Sequence, residues 1–124
     1  AGVVIVTNDG STEALNWLRQ NVSNGSTVVS YLDDIHIINY LDSVDPFNFK
    51  LKNGLNYQNR DELIEELEVA DYVVVRPIGD VDFPVPITDS VFTQRFGTEP
   101  VHQIFRGRGV YKMAVMQIYQ EGHE

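Results

Sequence analysis

Short runs of β-branched residues alternate along this chain with segments whose apolar residues recur at helical spacing. The runs at Val3–Thr7, Thr27–Tyr31 and Val73–Val75 predict strands. The third run has no polar position at all, which is typical of a parallel strand buried on both faces. Strands that alternate with helices favour a parallel sheet, so the pattern indicates an α/β fold.

Polar residues mark where the predicted helices begin. Ser11 or Thr12 is predicted to cap the first helix, Asp33 or Asp34 begins a second, and Arg60-Asp61 opens a third. The third helix is expected to bury one stripe, formed by Leu63, Ile64, Leu67 and Val69. Thr88 or Asp89 is predicted to cap a last helix, which ends at Gly97.

The rest of the pattern is less regular and completes the predicted fold. Residues 42–60 contain four Asn, one Gly and one Pro, which interrupt any regular pattern. They are predicted to form an irregular excursion with at most a short extended piece. Two further strands, 101–106 and 110–119, flank Gly107-Arg108-Gly109 and predict a hairpin. Residues 1–124 are therefore expected to form a single α/β domain. Its predicted architecture is a three-layer Rossmann-like sandwich, mostly parallel, with an antiparallel C-terminal edge hairpin.

Composition narrows the function classes. The 124 residues include 43% hydrophobic and 22% charged residues, as in globular domains, with a formal net charge of −9. An acidic surface repels nucleic acid, so no nucleic-acid partner is expected. There is no cysteine, which excludes disulfides and thiolate chemistry. No apolar run is long enough for a membrane span. The first residue is Ala1 and not Met, which suggests a processed or excised piece of a longer protein.

The candidate binding residues are Asp33, Asp34, His36 and Asp9. Asp9 follows the first predicted strand, and the other three follow the second. The carboxyl ends of parallel strands share one edge, where open α/β sheets bind ligands. Two functions are open for these residues: a divalent-cation or acid–base site, or a helix cap beside solvated side chains. No cofactor is required, and no catalytic residue is assigned.

The segment from Gly107 to Lys112 concentrates positive charge in an otherwise acidic chain. Glycines beside arginines are able to cradle a phosphate group. The same residues also fit a hairpin turn with solvated arginines, and the sequence leaves both interpretations open.

Three segments resemble the extracytoplasmic domain of multi-spanning, lipid-phosphate-sugar-dependent glycosyltransferases. These enzymes include the dolichyl-phosphate-mannose protein mannosyltransferases and the catalytic subunit of oligosaccharyltransferase. The segments are Trp17–Ile38, Leu67–Val75, and Phe96–Phe105 with Val110-Tyr111. Oligosaccharyltransferase carries a Trp-Trp-Asp-Tyr-Gly motif in this domain. The matching residues of this chain, 31–35, share only its aspartate, which is Asp33.

The resemblance implies a non-catalytic accessory domain, because in these families the catalytic carboxylates lie in membrane-side loops that this chain lacks. It implies an extracytoplasmic location and, as partner, the membrane portion of the same polypeptide or a protein or glycan acceptor. One alternative is a free-standing, metal-dependent phosphatase or hydrolase, which would be cytoplasmic. Another is an interaction module whose surface is an exposed aromatic excursion, Pro46–Tyr57.

Overall fold

The computed structural model describes residues 10–32, 48–54, 59–77 and 84–122. Within these ranges the chain forms three α-helices and five strands. The helices are α1 (Ser11–Asn21), α2 (Arg60–Val69) and α3 (Ser90–Phe96). The strands are β1 (Thr27–Ser30), β2 (Lys50–Asn53), β3 (Tyr72–Val75), β4 (His102–Arg106) and β5 (Met113–Gln120). The strand predicted at Val3–Thr7 and the helix predicted after Asp33 or Asp34 lie outside the described residues.

The five strands form one mixed sheet in the order β2-β1-β3-β5-β4. Strand β1 pairs in parallel with both β2 and β3, and Val29 lies opposite Val73. Strand β5 is antiparallel to both β3 and β4. The prediction of an α/β fold with a mostly parallel core and an antiparallel C-terminal edge is therefore confirmed.

Successive residues of the central strands point to opposite faces of the sheet and build two separate cores. Val28 and Val74 pack with α1, whereas Val29 and Val73 pack with α2 and α3. All four valines are fully buried, so the central strands are apolar on both faces, as predicted for β3. The finer assignment, a three-layer Rossmann-like sandwich, stays a prediction.

Of the two helix caps predicted from the sequence, the structure confirms one. Asp89 caps α3, and its side chain accepts a hydrogen bond from the Val91 backbone N–H at 2.9 Å. The prediction for α1 was wrong, because the cap is Gly10, with φ 83°, and neither Ser11 nor Thr12. A Cβ on Gly10 would lie 2.9 Å from Ile104 Cγ2, so the contact with β4 and the positive φ both favour glycine at this position.

The predicted buried stripe of α2 holds for Leu63 and Leu67 but is wrong for Val69, which is 62% exposed. Leu63 and Leu67 are four residues apart and share one face of the helix. Val69 lies two residues after Leu67, and that spacing turns it to the opposite side.

The irregular excursion contributes one edge strand, β2, and part of the core. Phe49 is only 7% exposed and packs in the cluster around α1, so the prediction of an exposed aromatic surface is wrong at this residue. At the C-terminal hairpin, β5 begins at Met113 and not at Val110, because Gly109–Tyr111 form a 3₁₀ turn.

Candidate functional site

The four candidate binding residues, Asp9, Asp33, Asp34 and His36, lie outside the described residues. Their relative arrangement therefore stays a prediction. The structure does describe the residues next to them in sequence, Gly10 and Leu32, and the surfaces that surround these two neighbours.

Gly10 and Leu32 border the same end of the sheet, the carboxyl edge, where β1, β2 and β3 end at Ser30, Asn53 and Val75. Leu32 follows β1 and packs in the α1 cluster, which also contains Ile104 and Met116. A Cβ built on Gly10 would contact those same two side chains. Met116 lies just beyond the carboxyl end of β3, because Gln117 pairs with Val75, the last residue of that strand.

Buried hydrogen bonds fix the backbone of the carboxyl edge just before Asp33. The Ser30 hydroxyl accepts a hydrogen bond from the Leu32 N–H at 3.0 Å. The phenol of Tyr31 donates to the Val85 carbonyl at 2.8 Å, and Tyr31 is only 2% exposed. These bonds hold the chain in one path as it leaves β1, so the edge is a preorganised platform.

A second feature lies at the same end of the molecule: the hairpin tip, residues 105–113, which joins β4 to β5. Because β5 is antiparallel to β3, its first residue, Met113, extends four positions beyond Gln117, the partner of Val75. At about 3.3 Å per residue the hairpin projects roughly 13 Å past the end of β3.

The backbone of the hairpin tip requires its glycines. Gly107 has φ 96°, and a Cβ there would overlap the Tyr111 carbonyl oxygen, which no side chain tolerates. Gly109 has φ 57° and begins the 3₁₀ turn, in which the Tyr111 N–H donates to the Arg108 carbonyl at 3.0 Å. The predicted hairpin is therefore confirmed, and the phosphate interpretation of the same segment stays a prediction.

The hairpin tip exposes large apolar side chains to solvent. Val110 is 93% exposed, Tyr111 79%, Met113 50% and Phe105 43%. The sequence pattern assigned Val110 and Tyr111 to a strand and did not identify this surface. The 3₁₀ turn lifts both residues out of the sheet, so neither has a neighbouring strand to cover it.

The hairpin tip is also the basic part of an acidic chain. Arg106, Arg108 and Lys112 fall within it, and residues 100–120 contain no Asp or Glu. Those 21 residues carry a formal charge of +3, so the rest of the chain carries −12 when subtracted from the total of −9. Arg106 forms an ion pair with Glu13 of α1, and the Lys112 ammonium lies 5.1 Å from the centre of the Phe105 ring.

The acid-free stretch between Glu99 and Glu121 is the sequence signal that could have identified the hairpin tip.

In the part of the chain that the structure describes, no three His, Asp or Glu side chains gather closely enough to bind a metal ion. No helix among the described residues has the length and apolar character needed to cross a membrane.

Comparisons with family models, curated proteins and solved structures give no match for this chain.

Proposed function

We propose that the chain is a non-catalytic, extracytoplasmic accessory domain of a membrane glycosyltransferase, which supports or binds the acceptor at its carboxyl edge. One observation carries this proposal. The segments that resemble such domains include β1 and β3, which pair in parallel with Val29 opposite Val73. Their carboxyl ends therefore open at one edge of the sheet, in the way that α/β sheets present ligand sites.

The proposal extends to the finer architecture and to the binding residues. Packing of α1 on one face of the sheet and of α2 and α3 on the other supports a three-layer Rossmann-like arrangement. Asp33, Asp34 and His36, which follow β1 directly, are the proposed contacts for the acceptor, with Asp9 beside them. Carboxylates and an imidazole suit the hydroxyl and amide groups of a peptide or glycan acceptor.

An NMR titration tests acceptor binding. The ¹⁵N-labelled domain is titrated with a peptide that carries asparagine and serine acceptors, and separately with a soluble oligosaccharide. Shifts are expected at Ser30–Leu32, Asn53 and Arg76, and the variant Asp33→Asn should lose them. The control variant Asp61→Asn changes an exposed carboxylate at the start of α2 and should keep them.

Two results would contradict the proposal. One is the absence of shifts at the carboxyl edge with both ligands. The other is a gene in which no membrane spans accompany the codons of this domain.

A second candidate function is a metal-dependent phosphatase or hydrolase. It is favoured by the position of Gly10 and Leu32, which border one cluster at one edge and lie directly next to Asp9 and Asp33 in sequence. A cation bound there only in the folded state would stabilise the domain by about 2.7 kcal/mol at a hundredfold excess over Kd.

Thermal unfolding in Mg²⁺ or Mn²⁺ tests this second function. The expected rise in melting temperature should be lost in both Asp9→Ala and Asp33→Ala, and hydrolysis of p-nitrophenyl phosphate should be lost with it. An unchanged melting temperature in both ions would eliminate this candidate.

A further inference from the structure

We propose that the hairpin tip is a membrane-contact element that inserts Val110 and Tyr111 into the interface of an anionic bilayer. Arg108 and Lys112 would then lie at the level of the lipid phosphates. The inference goes beyond the proposed function and requires only an anionic membrane surface. Lipid contact itself is argued only from the side chains of the hairpin tip.

The hairpin tip exposes several large apolar side chains on a backbone that its turn holds in one conformation. Four large apolar residues are exposed within nine positions, whereas isolated exposed apolar residues are ordinary on protein surfaces. The turn is fixed by Gly107 and by the Lys112 N–H, which donates to the Gly109 carbonyl at 3.2 Å. Insertion would therefore order little additional backbone.

The charges of the hairpin tip are complementary to anionic lipid. A domain with a net charge of −9 is repelled by an anionic bilayer at long range, and the acid-free segment 100–120 is the part suited to approach one. Because Arg106 is paired with Glu13, the attraction comes from Arg108 and Lys112. Each Lys or Arg near such a surface strengthens binding about fivefold, since its contribution is about 1 kcal/mol. Tyr111 suits the headgroup region because its ring is apolar and its hydroxyl is polar.

The shape of the hairpin tip favours lipid over an acidic protein. Val110 and Tyr111 are the most exposed large apolar residues of the described chain, so the apolar surface is an apex and not a groove. Peptide partners bind in grooves or along the edges of sheets. The edge offered by β4 is interrupted by an irregular register between Ile104 and Phe105, directly before the hairpin tip, which disfavours strand addition there.

Insertion of the hairpin tip would also orient the proposed binding surface. The tip projects roughly 13 Å beyond the carboxyl end of β3 and at the same end of the sheet. The carboxyl ends of β1, β2 and β3 would then lie on the membrane side of the sheet. An acceptor held at this edge would lie beside a membrane-embedded catalytic site.

Site-specific fluorescence tests insertion directly, because the chain has no cysteine that would compete for the label. Val110→Cys is labelled with an environment-sensitive fluorophore, and Val69→Cys, exposed at the end of α2, is the matched control. With vesicles of phosphatidylglycerol and phosphatidylcholine, the label at 110 should shift to the blue and be quenched by brominated acyl chains. The label at 69 should do neither.

Vesicle co-sedimentation measures the contributions of single side chains. Val110→Ser should weaken binding about tenfold, as expected for one buried aliphatic side chain, and Val69→Ser should leave it unchanged. Lys112→Gln should weaken binding about fivefold and Lys50→Gln, exposed at the start of β2, should not. Pure phosphatidylcholine vesicles should bind much less protein.

The outcomes separate the inference from the proposed function. Quenching at 110 without acceptor shifts at the carboxyl edge would support lipid contact and contradict the accessory role. Acceptor shifts without quenching would support the accessory role and overturn lipid contact. Binding of poly-L-glutamate, with no binding to either vesicle, would also overturn it and assign the hairpin tip to an acidic protein.

Discussion

Arg60 and Asp89 join the start of α2 to the start of α3 through a two-pronged ion pair. The Arg60 Nη2 donates to Asp89 Oδ1 at 3.0 Å, and Nη1 donates to Oδ2 of the same carboxylate at 2.5 Å. Nη1 also donates to the Pro84 carbonyl at 3.0 Å. One guanidinium thus joins both helix starts to the backbone at Pro84.

The Arg60–Asp89 pair predicts a loss of stability in acid. The hydrogen bond from Arg60, followed by that from the Val91 N–H, lowers the pKa of Asp89 below its ordinary value. Because the folded-state pKa is the lower one, the stabilisation is present above the unfolded pKa of about 4 and is lost as pH falls through the folded value. Urea unfolding at neutral and strongly acidic pH, followed by fluorescence of the sole tryptophan, Trp17, measures this loss.

Two variants of Asp89 separate its charge from its capping role. Asp89→Ser keeps an oxygen that can accept from the Val91 N–H, whereas Asp89→Ala loses both interactions. At neutral pH the urea midpoint should therefore be highest for the wild type, lower for Asp89→Ser and lowest for Asp89→Ala. The gap between wild type and Asp89→Ser should close in acid, and a gap that stays constant with pH would contradict the argument.

Tyr31→Phe is expected to destabilise the domain by about 1–2 kcal/mol. The change removes the donor to the Val85 carbonyl, which is fully buried and would lose this hydrogen bond. Tyr111→Phe removes the same hydroxyl from an exposed residue and should change the free energy of unfolding by less than about 0.5 kcal/mol. Equal effects of the two substitutions in urea unfolding would show that the bond to Val85 contributes nothing.

Gly107→Ala is expected to cost more than about 2 kcal/mol, because left-handed strain is combined with steric overlap between the new methyl group and the Tyr111 carbonyl oxygen. Gly25→Ala is the matched control. Gly25 also has a positive φ, of 81°, but a methyl group there would meet no atom within 4 Å, so only the strain of about 1 kcal/mol remains. Chemical denaturation of both variants checks the difference, and equal costs would exclude the steric contact.

Alkaline pH should destabilise the domain through Tyr119. Burial, followed by repulsion from Glu99, raises the pKa of this phenol above its ordinary value. The stabilisation is therefore present below the unfolded pKa of about 10 and is lost as pH rises through the folded value. The urea midpoint of the wild type should therefore fall between pH 9 and pH 11. The midpoint of Tyr119→Phe should fall less over the same range, which urea unfolding at a series of pH values would measure.

The sequence was most informative where local preference and packing agree. The Val73–Val75 run predicted a strand buried on both faces because β-branched residues fit that environment, and β3 occupies the middle of the sheet. The cap of the last helix was predicted at Thr88 or Asp89, and it is Asp89, a short acceptor next to an apolar helical stripe.

The sequence was least informative where tertiary contacts decide the conformation. Strand β2, Lys50–Asn53, has little intrinsic β-preference and forms because its backbone pairs with β1, beginning with the Lys50 N–H that donates to the Ser26 carbonyl at 2.8 Å. Gly10 replaces a side-chain cap because β4 lies against it, and β4 is about ninety residues away in sequence. Neither contact leaves a local signal.

The carboxyl edge of the sheet was predictable from the sequence, whereas the apolar surface of the hairpin tip was not. The carboxyl edge follows from the predicted parallel strands, and the structure confirms the parallel pairing of β1 and β3. The hairpin turn at Gly107–Gly109 was predicted, but the exposure of Val110 and Tyr111 was not. Both residues favour strands by residue type, while two positive-φ glycines impose a turn that removes them from the sheet.

The middle strand of the sheet, β3, acquires its second neighbour only from the far end of the chain, since Tyr72 lies opposite Gln120. During synthesis, the backbone of β3 has no partner on one side until β5 has left the ribosome. The closure of so long a loop is slow compared with local helix formation. A nascent chain of this protein therefore carries an aggregation-prone border until that strand has been made, and removal of the strand would leave the border open permanently.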